Sequence, residues 1–374
     1  MKLDDFKLEH FFARFEFSVP YLLCSSDAET LGLSDLVALA DDETRGLWEN
    51  LRLGYTEIPG HPLLRREIAA LYRDVGPDRV VVLSGAEEAI FAVMNVLLEP
   101  GDGAVVVTPA YQSLYSVAEA IGAEVTRVPL DGERGWSLDL DAIARAVSAR
   151  TRLIVVNFPH SPTGALIDRA TFDGLVALAE RHGIYLLCDE VYRLLEYDPA
   201  DRLPAGAEAT DRGISLGVMS KVFGLAGLRI GWVAARDAEL CRRLAAFKHY
   251  TTICNSGPSE ILALMGLRAR DVLVERARRI VMANLARLDR FFDGFAGTLA
   301  WVRPRAGTVA FPRLLGATPI ERVAEELAAV EGTLIVPGSI FDWPGNHFRI
   351  GFGRENVPEA LARFERHLRR MRGG

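Results

Sequence analysis

The sequence predicts an α/β protein built on a doubly wound sheet of seven strands, with a smaller α+β domain beside it. Three observations carry that expectation. Apolar, β-branched runs at 80–83, 104–107, 153–156 and 184–187 are continuous rather than alternating, as in strands buried on both faces of a parallel sheet. Helical stretches at 87–98, 111–121, 140–149 and 170–182 lie between them and supply the crossovers. At 374 residues the chain also exceeds a comfortable single core. The large domain is expected over 43–264, and the small one over 1–42 with 265–374.

Taken in order, the first 40 or so residues look irregular. Phe11, Phe12, Phe15, Phe17 and Tyr21 are too dense to hang free, so this arm is expected to pack with the small domain. A short helix follows at 33–39. Pro62 opens a helix at 62–73, because proline is tolerated in a first turn. Weaker strand candidates at 124–128, 214–218 and 229–234 complete the seven. Beyond them, 259–295 reads as one long amphipathic helix with a break allowed. Strands are expected at 302–314, 333–336 and 348–352, and a helix at 357–371 closes the chain.

Net charge of -7 and a pI near 5.6 give no electrostatic case for nucleic acid or an anionic membrane. The basic run from Arg363 to Arg372 is interleaved with Phe364, Leu368 and Met371, so it reads as the solvated face of the last helix. Cys24, Cys188, Cys241 and Cys254 form neither a CxxC pair nor a metal-like cluster, which suits a reducing cytoplasm. Met1-Lys2-Leu3-Asp4-Asp5 leads into no signal core, and no run of 18 apolar residues suggests a membrane span.

One stretch organises the rest, from Gly217 to Trp232. It sets a lone Lys221 and a lone Arg229 among apolar and small residues, with Gly224, Gly227 and Gly231 allowing close backbone approach. A desolvated lysine has a depressed pKa and becomes a nucleophile toward carbonyls. The competing reading is a mobile glycine-rich loop with two solvated charges. Ser84-Gly85-Ala86-Glu87 ends a strand and starts a helix; it is either a capping box or an anion site at free N–H groups. Asp189 closes another strand, as a helix cap or as a buried carboxylate awaiting a cation. In Asn157-Phe158-Pro159-His160-Ser161-Pro162-Thr163-Gly164, two prolines fix a turn and His160 reads as structural. Arg349, inside Phe348-Arg349-Ile350-Gly351-Phe352, wants a bidentate carboxylate unless it snorkels to the surface.

No G-x-x-x-x-G-K-[ST], strand-following G-x-G-x-x-G, H-E-x-x-H or G-x-S-x-G occurs. A phosphate seat, a strand-end aspartate, a buried lysine and a carboxylate-binding arginine suit pyridoxal 5'-phosphate, which is an aldehyde, a pyridine and a phosphate ester at once.

In these motifs, from about Leu53 to Phe352, the chain resembles the class I/II aminotransferases, pyridoxal-phosphate enzymes of fold type I. Arg229 stands eight residues past Lys221 in the family's S-K-x-x-x-x-x-G-x-R-h-G form. The resemblance implies a seven-stranded, mostly parallel sheet with a smaller α+β domain. It implies that Lys221 forms the Schiff base and shuttles the proton, that Asp189 pairs with the pyridine nitrogen, and that Tyr192 donates to the ring's phenolic oxygen. Tyr111 would stack on the ring, and Gly85, Ala86, Ser220 and Arg229 would hold the phosphate. Asn157 and Ser161 would also be cofactor-binding, and Arg349 would clamp the substrate α-carboxylate. Tyr55 looks like the tyrosine that reaches a neighbouring subunit's phosphate, implying a homodimer with shared sites.

There are two departures. Ser161 stands where the family usually has asparagine, and Val218 where many members have a phosphate-binding serine. The implied activity is amino transfer between an amino acid and a 2-oxo acid. The alternatives are β- or γ-elimination, replacement, or cyclisation like that of capreomycidine synthases. A non-catalytic, DNA-binding regulator of related fold is disfavoured by Lys221, by Asp189 and by the lack of any extra domain before Leu53.

Overall fold

The computed structural model describes residues 2–373. Seven strands form the central sheet: β1 (Val80–Leu83), β2 (Gly103–Thr108), β3 (Glu124–Pro129), β4 (Thr151–Asn157), β5 (Tyr185–Asp189), β6 (Gly213–Val218) and β7 (Gly231–Ala235). Their spatial order is β1-β7-β6-β5-β4-β2-β3. Strand β7 is antiparallel to both of its neighbours, and every other pairing is parallel. This is the mostly parallel α/β sheet that the apolar runs predict.

The register of burial explains why those runs are apolar throughout. Val81, Leu83, Ala104, Val106, Leu153 and Val155 enter one core cluster, with helices Gly85–Leu97 and Ser113–Ile121. The alternate residues Val105, Val107, Ile154, Val156 and Leu186 enter the opposite one, with helix Arg169–His182. At the β1–β7 end, Val80, Val82 and Trp232 pack against helices Pro62–Ala69 and Gly257–Arg268. Both faces are covered, so period-two patterning vanishes.

Several elements depart from expectation. The helix from Pro62 stops at Ala69. The long helix splits at Ala269 into Gly257–Arg268, packed on the large sheet's side, and Arg270–Gly294, packed in the second core. The strand expected over 302–314 shrinks to β8 (Val309–Ala310) and Arg313–Leu314, because Pro304, Gly307 and Pro312 interrupt it. Strand β8, with β9 (Val336–Pro337) and β10 (Phe348–Gly351), makes a small antiparallel sheet whose centre is β10. Helices Arg270–Gly294, Ile320–Glu331 and Val357–Gly373 bring Leu288, Phe291, Leu327 and Phe364 into one core with Phe348 of β10. The last helix's basic face is only partly solvated, since Arg366 and Arg370 donate to the buried Glu331 at 2.8 and 2.6 Å.

The N-terminal arm is not irregular. It forms α1 (Lys7–Phe15), with Leu8, Phe11, Phe12 and Phe15 at helical spacing. Phe11 is buried against the large sheet's cluster, whereas Phe17 is 96% exposed. Tyr21–Leu22 then pairs in parallel with Thr333–Leu334. Among the described residues no helix is long and apolar enough to cross a membrane.

Candidate active site

Ligands of open α/β sheets collect at the carboxyl ends of the strands. Here Ser84, Asn157, Asp189 and Ser220 all stand at or just past such ends, and Arg229 precedes the antiparallel β7. A cavity of about 410 Å³ opens there, and every expected site residue except Gly85 and Tyr55 lines it.

Lys221 Nζ donates to Ser26 Oγ at 2.8 Å. No carboxylate lies within ion-pair distance of it among the described residues. Burial is the main cause that brings its pKa down from 10.5 to about 8; Asp27 and Asp189 oppose that shift, and Arg349 and Arg229 reinforce it. Lys221 is half-buried, and the buried lysine of this region is a different object. Lys248 is fully enclosed and donates to Ile58 O (2.8 Å), Val82 O (2.7 Å) and Asn255 Oδ1, so all three protons are committed to structure. It pins the 54–60 loop to the end of β1.

Asp189 is the last residue of β5 and only 5% exposed. It accepts one backbone bond, from Val191 N at 3.2 Å. Burial raises its pKa to about 7, against the smaller opposing effects of that bond and of Lys221. A carboxylate held this way lacks a cation. Asn157 sits beside it in register and positions the site. Its Nδ2 donates to Asp189 O, and its Oδ1 accepts from Ser161 N, each at 2.8 Å. This ties the proline turn to the end of β5. His160 in that turn is fully buried, with Nδ1 2.8 Å from Thr163 Oγ1, and burial pushes it down to about 3, as suits a structural residue.

The capping box expected at Ser84 is not made. The Ser84 side chain caps nothing, its N–H is taken by Glu88, and Glu87 instead accepts from Ser113 Oγ at 3.1 Å. The first turn of α2 (Gly85–Leu97) therefore keeps free N–H groups, a seat for an anion. Gly85 has φ +84, and a Cβ there would lie 2.6 Å from Arg229 Nη2. A Cβ on Gly231 would strike the Gly85 backbone at 2.5 Å, whereas Gly227 has open space. Arg229 lies outside the strand expected for it, in the left-handed region at φ 53. Its hydrogen bond is to Ala226 O at 3.2 Å, and it has no carboxylate partner among the described residues. The conformation costs on the order of 1 kcal/mol and sets the guanidinium beside the helix start.

Arg349, on β10, is 2% exposed. Its Nε donates to Cys24 O at 3.1 Å, but Nη2 is buried without any partner. Its guanidinium lies 5.8 Å from the Phe12 ring centroid and 5.4 Å from that of Phe341. The arginine is therefore no snorkelling side chain, and α1 closes over it.

Tyr192 gives its proton to Ser26 O at 2.6 Å, where Thr308 Oγ1 also donates at 2.9 Å. Tyr111 lines the cavity with its hydroxyl 3.4 Å from Glu9 Oε1. The Ser161 hydroxyl makes no hydrogen bond among the described residues and faces the same space. Tyr55 is 92% exposed and does not enter this chain's own cavity. Sequence reasoning missed Ser26, which meets Lys221, Tyr192 and Thr308, and also Glu9, Glu16, Asp27 and Arg354 in the wall. For Glu9 and Glu16 the helical spacing of the arm was an available signal; for Ser26 no local pattern exists.

The family profile Aminotransferase class I and II matches residues 22–364. A capreomycidine synthase of Streptomyces vinaceus is 34% identical over 92% of this chain and 89% of its own length. A solved pyridoxal-phosphate-dependent aminotransferase from Streptococcus suis 89-1591 superposes with a TM-score of 0.93 at 31% identity, covering 99% of each chain. A pyridoxal-phosphate-dependent cyclase, OrfR, superposes with a TM-score of 0.89 at 28% identity, covering 99% of this chain and 98% of its own.

Proposed function

The chain belongs to the class I and II aminotransferases, whose cofactor is pyridoxal 5'-phosphate, and on that premise we propose that it moves an amino group between an amino acid and a 2-oxo acid, with Lys221 as the reacting lysine. The observation that carries this reading is the set of polar groups left without a charged partner in one cavity. Lys221 has no carboxylate, Asp189 has no cation, the first turn of α2 has free N–H groups beside Arg229, and Arg349 Nη2 is orphaned. These groups fit an aldehyde, a pyridine nitrogen, a phosphate and an amino-acid carboxylate in turn.

When bound, the cofactor supplies an aldehyde that takes up amino groups and a ring that withdraws electrons from the substrate Cα–H bond. The rest is the protein's part. The α2 N-terminus, Ser220 and Arg229 hold the phosphate. Asp189 keeps a proton on the ring nitrogen, and Ser161 and Tyr192 are the hydroxyls available to the phenolic oxygen. Arg349 orients the substrate by its α-carboxylate. Lys221 Nζ, whose depressed pKa raises its neutral fraction, takes the proton from Cα and returns it. Walls supplied by α1 exclude water.

A second reading, cyclisation by the same residues, is favoured by the relative named capreomycidine synthase. An amino-donor screen with products identified separates the two. A 2-oxo acid with the amino group passed to an acceptor supports transfer, whereas a ring-closed product with no acceptor consumed overturns it.

Two further outcomes are expected. Capture of added cofactor by cofactor-free protein should speed up as pH rises through about 8 and then level off, because the protonated amine cannot attack a carbonyl. A rate still climbing at pH 10 would mean that Lys221 titrates as an ordinary lysine. We also propose a homodimer in the cytoplasm, with the 43–264 domain and the domain of 1–42 and 265–374 dividing the site. Exposed Leu53, Tyr55 and Tyr250 on neighbouring loops support the pairing. Hybrids of a Tyr55→Phe subunit with a Lys221→Ala subunit should retain about half of wild-type turnover, since one site then carries both lesions and the other neither. Turnover at half the Tyr55→Phe level instead would place Tyr55 in its own chain's site.

A further inference from the structure

The cavity wall contributed by α1 bears on which amino acid the site takes, an inference that rests on the amino-transfer reading above. Glu9, Phe12 and the capping residue Glu16 recur at i, i+3 and i+7, so they share the face of α1 that lines the cavity. The charges there can be accounted for one by one among the described residues. The cations are Lys221, Arg229, Arg349 and Arg354, and the carboxylates are Glu9, Glu16, Asp27, Glu87 and Asp189. Arg354 and Asp27 neutralise each other in a two-pronged pair, with both contacts to Nη2 at 3.0 Å. Lys221, Arg229 and Asp189 are assigned to the cofactor's aldehyde, phosphate and ring nitrogen, and Arg349 to the substrate carboxylate.

Three carboxylates remain, and no cation remains to meet them. Glu87 is held by Ser113 at 3.1 Å. Glu9 has only the long contact from Tyr111, and Glu16 has neither a hydrogen bond nor an ion pair. Burial and the charge of Glu9, with a smaller effect of Asp27, raise the Glu16 carboxyl above its usual range, and the nearby Arg354, already paired with Asp27, only partly opposes that shift.

An acidic helix face alone would read as solvated surface. The independent observation is Arg349, 98% enclosed with Nη2 unpartnered, lining the same cavity and packed under Phe12, the residue between the two glutamates. A ligand carboxylate held by Arg349 thus lies close to an aromatic ring that can cover a methylene stem, with carboxylates on the flanking turns of the same helix. We propose that Glu9 and Glu16 select amino acids whose side chain ends in a cation, a guanidinium or an ammonium, and disfavour acidic side chains.

The test uses the cofactor-loaded enzyme and probes without an α-amine, so that affinity is read without turnover. Calorimetry should find 5-guanidinopentanoate and 6-aminohexanoate bound about tenfold more tightly than hexanoate, and glutarate bound more weakly than hexanoate. The Glu9→Gln/Glu16→Gln variant should lose that cation preference, and Glu16→Lys should shift preference toward glutarate. A thermal melt matching wild type shows that each variant is folded. Equal binding of cationic and neutral probes, or an unchanged preference ratio in the double variant, would overturn the proposal. Either result leaves Lys221 labelling and turnover of neutral amino acids intact, whereas failure of the amino-transfer reading removes transfer for every donor.

Discussion

Lys221→Ala is expected to lose turnover by at least about 10⁴-fold, because one side chain serves as both the covalent anchor and the proton carrier. The variant should still take up pyridoxal phosphate, through the α2 N-terminus and Arg229. Borohydride reduction of wild type should fix the cofactor to the peptide containing Lys221, and reduction of the variant should fix nothing. No other residue can stand in. Lys221 is the one lysine lining the cavity among the described residues, and Lys248 has given all three protons to Ile58 O, Val82 O and Asn255 Oδ1. Labelling at Lys248, or turnover surviving in Lys221→Ala, would sink the assignment.

Asp189→Asn comes next, with an expected loss of about 10²–10³ in kcat and a much smaller loss in cofactor affinity. The asparagine can still accept from Val191 N, so a mere capping role predicts little change. The same substitution has an opposite signature in cofactor-free protein. The Asp189 pKa is raised on folding from 3.8 to about 7, chiefly by burial. A raised carboxylate contributes stability that is fully present below its unfolded pKa and is lost as pH rises through the folded value. Between pH 4 and 7 the cofactor-free protein should therefore lose stability, because the unfolded carboxyl ionises while the buried one keeps its proton. At pH 8 the melting temperature of cofactor-free Asp189→Asn should exceed that of wild type, and at pH 4 the two should converge. A lower melting temperature at pH 8, with turnover intact, would make Asp189 a structural cap.

Much of this site is legible along the chain because its chemistry is local. Lys221 and Arg229 are eight residues apart, Gly85 follows β1 directly, and Asp189 ends β5, so each motif is a strand end and its turn. The strand runs were legible for a related reason: burial on both faces leaves unbroken apolar segments. The misreadings have equally local causes. The arm's dense aromatics mask the 8, 11, 12, 15 spacing that makes α1 a helix. Ser84 and Glu87 spell a capping box, but Glu87 was drawn to Ser113 and Glu88 took the Ser84 N–H.

What the sequence alone determined is therefore the sheet, the family and the order in which strand ends deliver the candidate site residues, since these follow from patterns within a few residues of each other. The tertiary structure alone decided which partners those residues lack. Lys221 is depressed to about 8 because packing encloses it, and Arg349 is orphaned because Cys24 O takes only its Nε. Glu9, Glu16 and Ser26 reach the cavity only because the arm folds back across both sheets, bringing Ser26 from 195 positions away to Lys221. Desolvation and missing partners are properties of the whole enclosure, and no segment of sequence carries them.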